Sequence, residues 1–215
     1  MTDLTPLLES PALPTLVERL QRTLADEAER RAAFRDALTP DQKAEFINGE
    51  TIVHSPALAR HIAATGRIYA LLHAHVRAHG TGWVGMEKAL VGLTRNDYEP
   101  DVLFFGAVKA ESITPTTLVF PAPDLAVEVL SPSTEARDRG VKRDDYAAHG
   151  VEEYWIVDAE RETVEQYLLD GETYRLATKS GTGEIESRAV EGLVIPVRAV
   201  FDDAVNLDAL RAILA

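Results

Sequence analysis

The sequence predicts an α/β domain, and three observations support that fold class. Residues 124–158 have the pattern of a strand, a polar helix and a second strand, which is typical of a parallel crossover. Asn48-Gly49 lies between two short apolar runs and predicts a β-hairpin, because both residues tolerate a positive φ. Hydrophobic residues make up 46% of the 215 residues, which is enough to bury the core of one ordinary domain.

The N-terminal segment, residues 1–39, is predicted to be a helical arm attached to a main domain of residues 40–215. Over residues 14–38 apolar side chains recur at a spacing of four, and charged residues fill the other faces. Such a stripe needs a partner surface on the body or on a second subunit, and we therefore expect a homodimer. Thr39-Pro40-Asp41-Gln42 has the form of a helix start and predicts a short second helix.

The remaining elements are predicted from apolar runs and the turn residues between them. Gly80 and Gly150 mark the C-terminal ends of two of the helices. In chain order the elements are a helix at 57–79, strands at 83–93 and 101–105, a loop at 106–120, a strand at 124–130, a polar helix at 135–149, a strand at 151–158, a hairpin at 163–169 and 173–178, a strand near 193–200 and a helix at 207–214.

The composition argues against several classes of protein. The chain has no cysteine, so it has no disulfide and no thiolate zinc site, which suits a reducing cytoplasm. No apolar run approaches the roughly 20 residues that span a bilayer, and the N-terminus lacks a signal-peptide pattern. We therefore expect a cytoplasmic protein without a membrane partner. The net charge of −13 counts against nucleic acid, but residues 51–110 carry a net +2 and residues 111–215 carry −11.

Two further patterns are weak signals of function. Gly80–Gly85 matches G-x-G-x-x-G, but it follows a predicted helix and enters a strand, which reverses the arrangement that dinucleotide binding needs. His73, His75 and His79 lie close together in the sequence. We interpret them as residues of a solvated helix surface, because no carboxylate partner accompanies them.

Two carboxylates and one lysine occupy positions that suit phosphate chemistry. Asp101 opens an apolar strand, and Glu128 lies within the apolar run of a central strand. A glutamate there needs water, a cation or a hydrogen-bond donor. One interpretation is a solvated sheet face or an ion pair. The other is a Mg²⁺ site, because Mg²⁺ prefers carboxylate oxygens and substrate phosphate as ligands. Lys142, on the helix after Glu128, is the candidate cation beside the phosphate, and the alternative is an ordinary exposed lysine of a polar helix.

Several segments resemble one known family. The chain is similar to the Uma-two family, described as putative restriction endonucleases, of the PD-(D/E)XK nuclease superfamily. The resemblance covers about residues 43–170 and implies a restriction-endonuclease-like fold, with a central mixed β-sheet flanked by helices. It also implies metal-dependent hydrolysis of nucleic acid. The segments are EFINGE at 45–50, SPALARH at 55–61, RNDYEPDVLFF at 95–105, PDLAVEVLSPST at 123–134, and GVEEYWIVD at 150–158, the last preceded by Lys142 and Tyr146.

The resemblance also implies roles for individual residues. Asp101 matches the aspartate of the PD motif and Glu128 matches the acid of (D/E)XK. Both would bind Mg²⁺, with Mn²⁺ as a substitute and the Val129 carbonyl as a third ligand. Leu130 stands where the superfamily has lysine, so Lys142 on the next helix is the expected replacement.

Four other side chains have less defined roles. Glu45 matches the family's upstream acid and completes the site or is an exposed strand residue. His61 matches the family's helix histidine and either orients a ligand or phosphate, or is capped or buried. Tyr146 and Trp155 are interpreted as packing residues.

Three functions remain open from the sequence. The first is a Mg²⁺-dependent endonuclease that cuts DNA. The second is a catalytically inactive descendant of the nuclease fold, a binding or assembly module, which the departure at Leu130 favours. The third is a metal-dependent hydrolase of a smaller phosphoester.

Overall fold

The computed structural model describes residues 4–39 and 42–215. The helix start expected at Thr39-Pro40-Asp41-Gln42 depends on residues 40 and 41, which lie outside the described residues. A π-helical segment, Asp138–Lys142, joins two of the helices, and a 3₁₀ turn spans Val197–Val200. The helices are α1 (Thr5–Leu8), α2 (Leu13–Ala37), α3 (Ala59–His79), α4 (Ala107–Ala110), α5 (Glu135–Arg137), α6 (Arg143–Ala148) and α7 (Asp203–Ile213).

The strands form a larger sheet, a smaller sheet and a separate pair. The larger sheet has the order β11-β10-β9-β8-β6-β3, the smaller sheet β2-β1-β5-β4-β7, and β12 pairs with β13. The strands are β1 (Ala44–Ile47), β2 (Glu50–Val53), β3 (Gly82–Met86), β4 (Leu90–Gly92), β5 (Asp97–Tyr98), β6 (Val102–Gly106), β7 (Val119–Phe120), β8 (Leu125–Val129), β9 (Glu153–Asp158), β10 (Thr163–Asp170), β11 (Thr173–Ser180), β12 (Glu184–Glu186) and β13 (Val194–Pro196).

The larger sheet is mixed, and both of its faces are covered. Strands β8 and β9 are parallel, and the helical connection between them is the predicted crossover. One face packs against α3 and α7 through an apolar core that includes Ile68, Leu72 and Ala209. The other face packs against α6 and the smaller sheet. The predicted α/β class, a mixed sheet flanked by helices, is therefore confirmed.

Four predicted elements differ from the structure. The strand expected near 193–200 is a short strand, β13, followed by the 3₁₀ turn Val197–Val200. The single strand expected at 83–93 is two strands, β3 and β4, which belong to different sheets. The loop expected at 106–120 contains α4 and β7. The helix expected at 135–149 is interrupted at Gly140, whose φ of −113° and ψ of −105° are not helical. Glycine within a helical pattern is the local reason for that kink.

The arm has two parts that differ in their contacts. Residues 27–38 of the arm lie on the smaller sheet, where Glu27 and Phe34 are buried. Leu20 and Leu24, one to two turns earlier, are 55% and 53% exposed. Among the described residues, no helix combines the length and the apolar character that crossing a bilayer requires.

Candidate active site

Asp101 and Glu128 come from neighbouring strands at the junction of the two sheets. Asp101 connects β5 of the smaller sheet to β6 of the larger one, and Glu128 lies on β8. The Asp101 N–H donates to the Val127 carbonyl (3.1 Å), and the Val129 N–H donates to Asp101 Oδ2 (2.8 Å). Asp101 therefore lies beside the two residues that flank Glu128 in the chain.

Glu128 is buried, and a lysine and a tyrosine bind one of its oxygens. Lys142 Nζ is 3.0 Å from Glu128 Oε1, and the Tyr146 hydroxyl donates to the same oxygen at 3.2 Å. Tyr146 was expected to be a packing residue. It is fully buried, and it also fixes the orientation of Glu128.

Lys142 is the centre of a cluster of three carboxylates. Its Nζ lies 2.8 Å from Glu45 Oε1, 3.0 Å from Glu128 Oε1 and 3.2 Å from Asp138 Oδ1. Lys142 is 1% exposed. Asp138 is equally buried, and neither of its oxygens makes a well-directed hydrogen bond within the described part of the chain. The π-helical segment places Asp138 and Lys142 on the same side, four residues apart.

Glu45 lies on β1 behind Lys142 and is completely buried. Its Oε1 accepts a hydrogen bond from the Glu99 N–H (2.9 Å), and its Oε2 lies 3.0 Å from His54 Nε2. These contacts tie the smaller sheet to the lysine, so Glu45 holds Lys142 rather than facing solvent. Of the two alternatives for Glu45, the exposed strand residue is therefore excluded.

Asp101 has a different set of partners. Lys43 Nζ is 2.7 Å from Asp101 Oδ1, and His61 Nε2 is 3.3 Å from the same oxygen. The Lys43 side chain is 21% exposed, so it can turn into solvent. His61 Nδ1 is buried and has no hydrogen-bond partner among residues 4–39 and 42–215.

Two of the carboxyl groups are held in their charged form. Burial acts to raise the pKa of Glu45, but the charge of Lys142 and the contact with His54 outweigh it and lower the pKa to about 2. Burial acts in the same direction on Asp101. The contacts with His61 and Lys43 outweigh it, so the pKa of Asp101 lies below its ordinary value.

The other two carboxyl groups have raised pKa values. Burial raises the pKa of Glu128 well above its ordinary value, because the attraction of Lys142 does not compensate for lost hydration and nearby acids. Burial also raises the pKa of Asp138. For Lys142, burial acts to lower the pKa, but the three carboxylates outweigh it, so the pKa rises and the ammonium stays charged.

These side chains face a cavity of about 600 Å³. The cavity is bounded by the loop before α3 and by the Ser131–Thr134 turn after β8. Glu45 and Asp138 are not part of its wall. The residues of the cluster that line the cavity are Lys43, His54, His61, Asp101, Glu128, Val129 and Lys142.

The acids of the cluster suit a divalent cation. Four buried carboxyl groups, Glu45, Asp101, Glu128 and Asp138, surround two lysine ammonium groups. Asp101 and Glu128 are the two acids of this cluster that line the cavity, and carboxylate oxygens are ligands that Mg²⁺ prefers. Within the described ranges, no three acid or histidine side chains already converge as a complete metal-ligand set. Water and substrate oxygens would therefore supply the remaining ligands.

The structure brings together the residues predicted from the sequence. Asp101, Glu128, Lys142 and Glu45 form one cluster, and His61 contacts Asp101. Val129 contacts Asp101 through its N–H, and the predicted role of its carbonyl as a metal ligand stays a prediction.

Three members of the cluster were missed: Lys43, His54 and Asp138. The spacing of Asp138 and Lys142, four residues apart on a helix, was the one available signal for Asp138. Lys43 and His54 flank the β1–β2 hairpin, and only the pairing of its two strands brings them to the site.

The fold is shared with a solved structure from Anabaena variabilis that is described as a "putative nuclease belonging to DUF820". That protein is 16% identical to this chain, with a TM-score of 0.68 over 82% of this chain and 96% of the other. This chain belongs to the Uma2 family, described as "Putative restriction endonuclease", whose profile matches residues 28–198. The family description indicates a nuclease, and the solved structure shows the shared fold. No curated protein matches the chain.

Proposed function

We propose that this protein is a Mg²⁺-dependent endonuclease that hydrolyses phosphodiester bonds in DNA. The observation that carries the proposal is the meeting of Asp101, Glu128 and Lys142 at one cavity. The match to a family described as restriction endonucleases supports a nucleic-acid substrate. The solved structure of similar fold is itself described as a "putative nuclease".

Asp101 and Glu128 are the residues that would hold Mg²⁺, with Mn²⁺ as a substitute. When bound, such an ion supplies Lewis-acid stabilisation of phosphate charge and lowers the pKa of a coordinated water. Glu128 binds a metal ion in its ionised form, which burial disfavours because it raises the pKa of this carboxyl group. The Lys43 ammonium must move away from Asp101 Oδ1 to free that oxygen.

The remaining residues position the ligands and the phosphate. Lys142 holds Glu128 in place and brings a positive charge to the cavity wall, where negative charge develops on the phosphate during hydrolysis. Glu45 and Asp138 fix the lysine from behind. His61 lines the cavity and contacts Asp101 through its Nε2, so it would orient this metal ligand.

Plasmid nicking tests the proposal. Purified protein is incubated with supercoiled DNA in Mg²⁺, in Mn²⁺ or in a chelator, and the variants Asp101→Asn and Glu128→Gln are compared with Glu160→Gln. Glu160 is an exposed acid on the cavity rim, so its variant makes the same chemical change outside the cluster. We expect metal-dependent nicking by the wild type and Glu160→Gln only. Nicking that survives in both cluster variants would contradict the assignment.

Failure of every variant and of the wild type to nick DNA would favour the inactive binding module. Turnover of a model phosphodiester without DNA cleavage would favour the smaller-phosphoester hydrolase.

We also propose that the arm mediates a homodimer. Leu20 and Leu24 lie on the helix face that continues into the part of the arm packed on the sheet, yet they are largely exposed. Light scattering after gel filtration should give a dimer for the wild type and a monomer for Leu20→Glu/Leu24→Glu. A wild-type monomer at working concentration would rule out this arrangement.

A further inference from the structure

A second cavity, of about 360 Å³, lies beside the candidate active site and has an aromatic wall. It is built along β3, the edge strand of the larger sheet, and along residues 117–120. The Trp83 ring stacks on Phe120, with ring centroids 5.5 Å apart and planes inclined by 19°. We call this cavity the Trp83 groove.

Gly85 makes room for the indole ring of Trp83. A Cβ on Gly85 would lie 2.5 Å from the Trp83 ring, so only glycine allows the ring to lie over the strand. The Phe120 contact fixes the ring from another side. Trp83 is only partly buried and lines the groove. The ring is therefore a fixed, partly exposed aromatic surface.

The Trp83 groove is continuous with the candidate active site. Glu87 and Lys88, in the turn after β3, line both cavities. This turn is held in the left-handed region, with φ of 37° at Glu87 and 52° at Lys88. The Glu87 N–H donates to the carbonyl of Asp101 at 3.2 Å. The residue proposed to bind the metal is thus bonded directly to the turn that separates the two cavities.

We propose that the Trp83 groove binds an unpaired base of the DNA strand whose phosphate lies at Asp101 and Glu128. This inference rests on the proposed function and extends it to the form of the substrate. Aromatic side chains bind single strands because every base has a π-face that stacks on them. A concave groove beside the site takes a base that has left the duplex, whereas a paired base keeps its faces within the stack.

Tryptophan fluorescence tests the proposal directly. Trp83 and Trp155 are the only tryptophans of the chain, and Trp155 is fully buried. The full-length protein is titrated with a short oligothymidylate, and separately with a hairpin duplex of equal length, in Ca²⁺ and in chelator. We expect the oligothymidylate to quench the emission of the wild type and to leave that of Trp83→Phe unchanged. Equal quenching by the duplex, or no quenching at all, would overturn the proposal.

A variant on the groove rim avoids disturbing the fold. Leu118 lines the groove and is 66% exposed, whereas Val108 on α4 is 85% exposed and does not line it. Leu118→Glu should weaken oligothymidylate binding by about fivefold to a hundredfold, the range for loss of one stacked base, and Val108→Glu should not. Anisotropy of a labelled oligonucleotide measures both. Equal affinities of the two variants would contradict the groove assignment.

The two proposals fail in different ways. If Leu118→Glu and Val108→Glu bind and cleave alike while Asp101→Asn abolishes cleavage, the groove proposal is wrong and the nuclease proposal stands. If neither the wild type nor any variant cleaves DNA but the oligothymidylate still quenches Trp83, the nuclease proposal is wrong. The groove proposal then stands, with the groove as a site that binds single strands.

Discussion

Asp97 and Asp101 lie four residues apart, and both are buried carboxylates with cationic partners. Asp97 accepts hydrogen bonds from the guanidinium groups of Arg31 and Arg35 on the arm, including Nε contacts of 2.9 Å from each to Oδ2. Asp101 has a lysine, a histidine and one backbone N–H as partners. The first acid joins the arm to the smaller sheet, and the second faces the cavity.

The nature of the cation separates the two acids. Two arginine forks occupy both oxygens of Asp97, and Arg31 also donates to the carbonyls of Leu93, Thr94 and Asn96. No cation could displace such a set without detaching the arm. The single ammonium group on Asp101 belongs to a partly exposed lysine, and in the proposed function a metal ion would replace it. The acid paired with two arginines is thus structural here, while the acid paired with one lysine is the one proposed to bind the metal.

The largest expected effect is on cleavage. Asp101→Asn should reduce DNA nicking by at least about 10²–10³-fold, as for removal of one group from a preorganised electrostatic site. Asp97→Asn should nick DNA at nearly the wild-type rate, at a temperature where circular dichroism shows that it is folded. A gel assay in Mn²⁺ compares the two variants, and similar losses in both would remove the distinction.

The second largest effect is on stability, and here Asp97→Asn should lose more than Asp101→Asn. Asp97→Asn leaves two guanidinium groups without their anion, so we expect the free energy of unfolding to fall by about 3 kcal/mol. Asp101→Asn should cost less than about 1.5 kcal/mol, because asparagine still accepts the Val129 N–H and Lys43 can turn into solvent. Urea denaturation measures both. A larger loss for Asp101→Asn would reverse the interpretation.

The pH dependence of metal binding comes next. The pKa of Glu128 is raised, so below that pKa a cation must displace a proton, and affinity for Mn²⁺ should rise with pH by up to about tenfold per pH unit. The pH dependence of folding stability has the opposite sign to that of Mn²⁺ affinity. The folded state holds this proton more tightly than the unfolded chain, so the Glu128 contribution to stability decreases as pH rises through the folded pKa. Calorimetry at several pH values, in buffers of different ionisation enthalpy, should show proton release on binding. Affinity that is independent of pH would contradict a protonated Glu128.

The smallest effect concerns Lys43. Lys43→Met removes the ammonium group that competes for Asp101 Oδ1, so affinity for Mn²⁺ should increase by about fivefold, the equivalent of a partly exposed ion pair of about 1 kcal/mol. Calorimetry again provides the measurement. Weaker binding in Lys43→Met would mean that Lys43 supports the metal site instead of competing for it.

The sequence predicted the fold class and the family, because these depend on local patterns. The Asn48-Gly49 hairpin is present, with φ of 50° and 84° at its two central residues. The crossover between β8 and β9 is present as well. The division into two sheets was not predicted, since alternation along a strand does not indicate which sheet the strand joins. For the same reason, the sequence predicted one strand over residues 83–93, where the structure has β3 and β4 in different sheets.

The candidate site was predicted in outline. Asp101, Glu128 and Lys142 were found from an acid in an apolar strand and from family motifs, and they do meet at one cavity. Asp138 was missed because an acid on a polar helix has the same pattern as a solvated surface residue. The inward direction of Asp138 depends on the kink at Gly140 and on burial against β9, where the Tyr154 hydroxyl donates to the Asp138 carbonyl at 3.0 Å.

The central claim is that Asp101 and Glu128 form a divalent-cation site, and Mn²⁺ binding measured by calorimetry at neutral pH tests it most directly. We expect the wild type and Glu160→Gln to bind Mn²⁺ with the same affinity, and Asp101→Asn and Glu128→Gln to lose most of that binding while remaining folded. Unchanged Mn²⁺ affinity in the two cluster variants would contradict the claim.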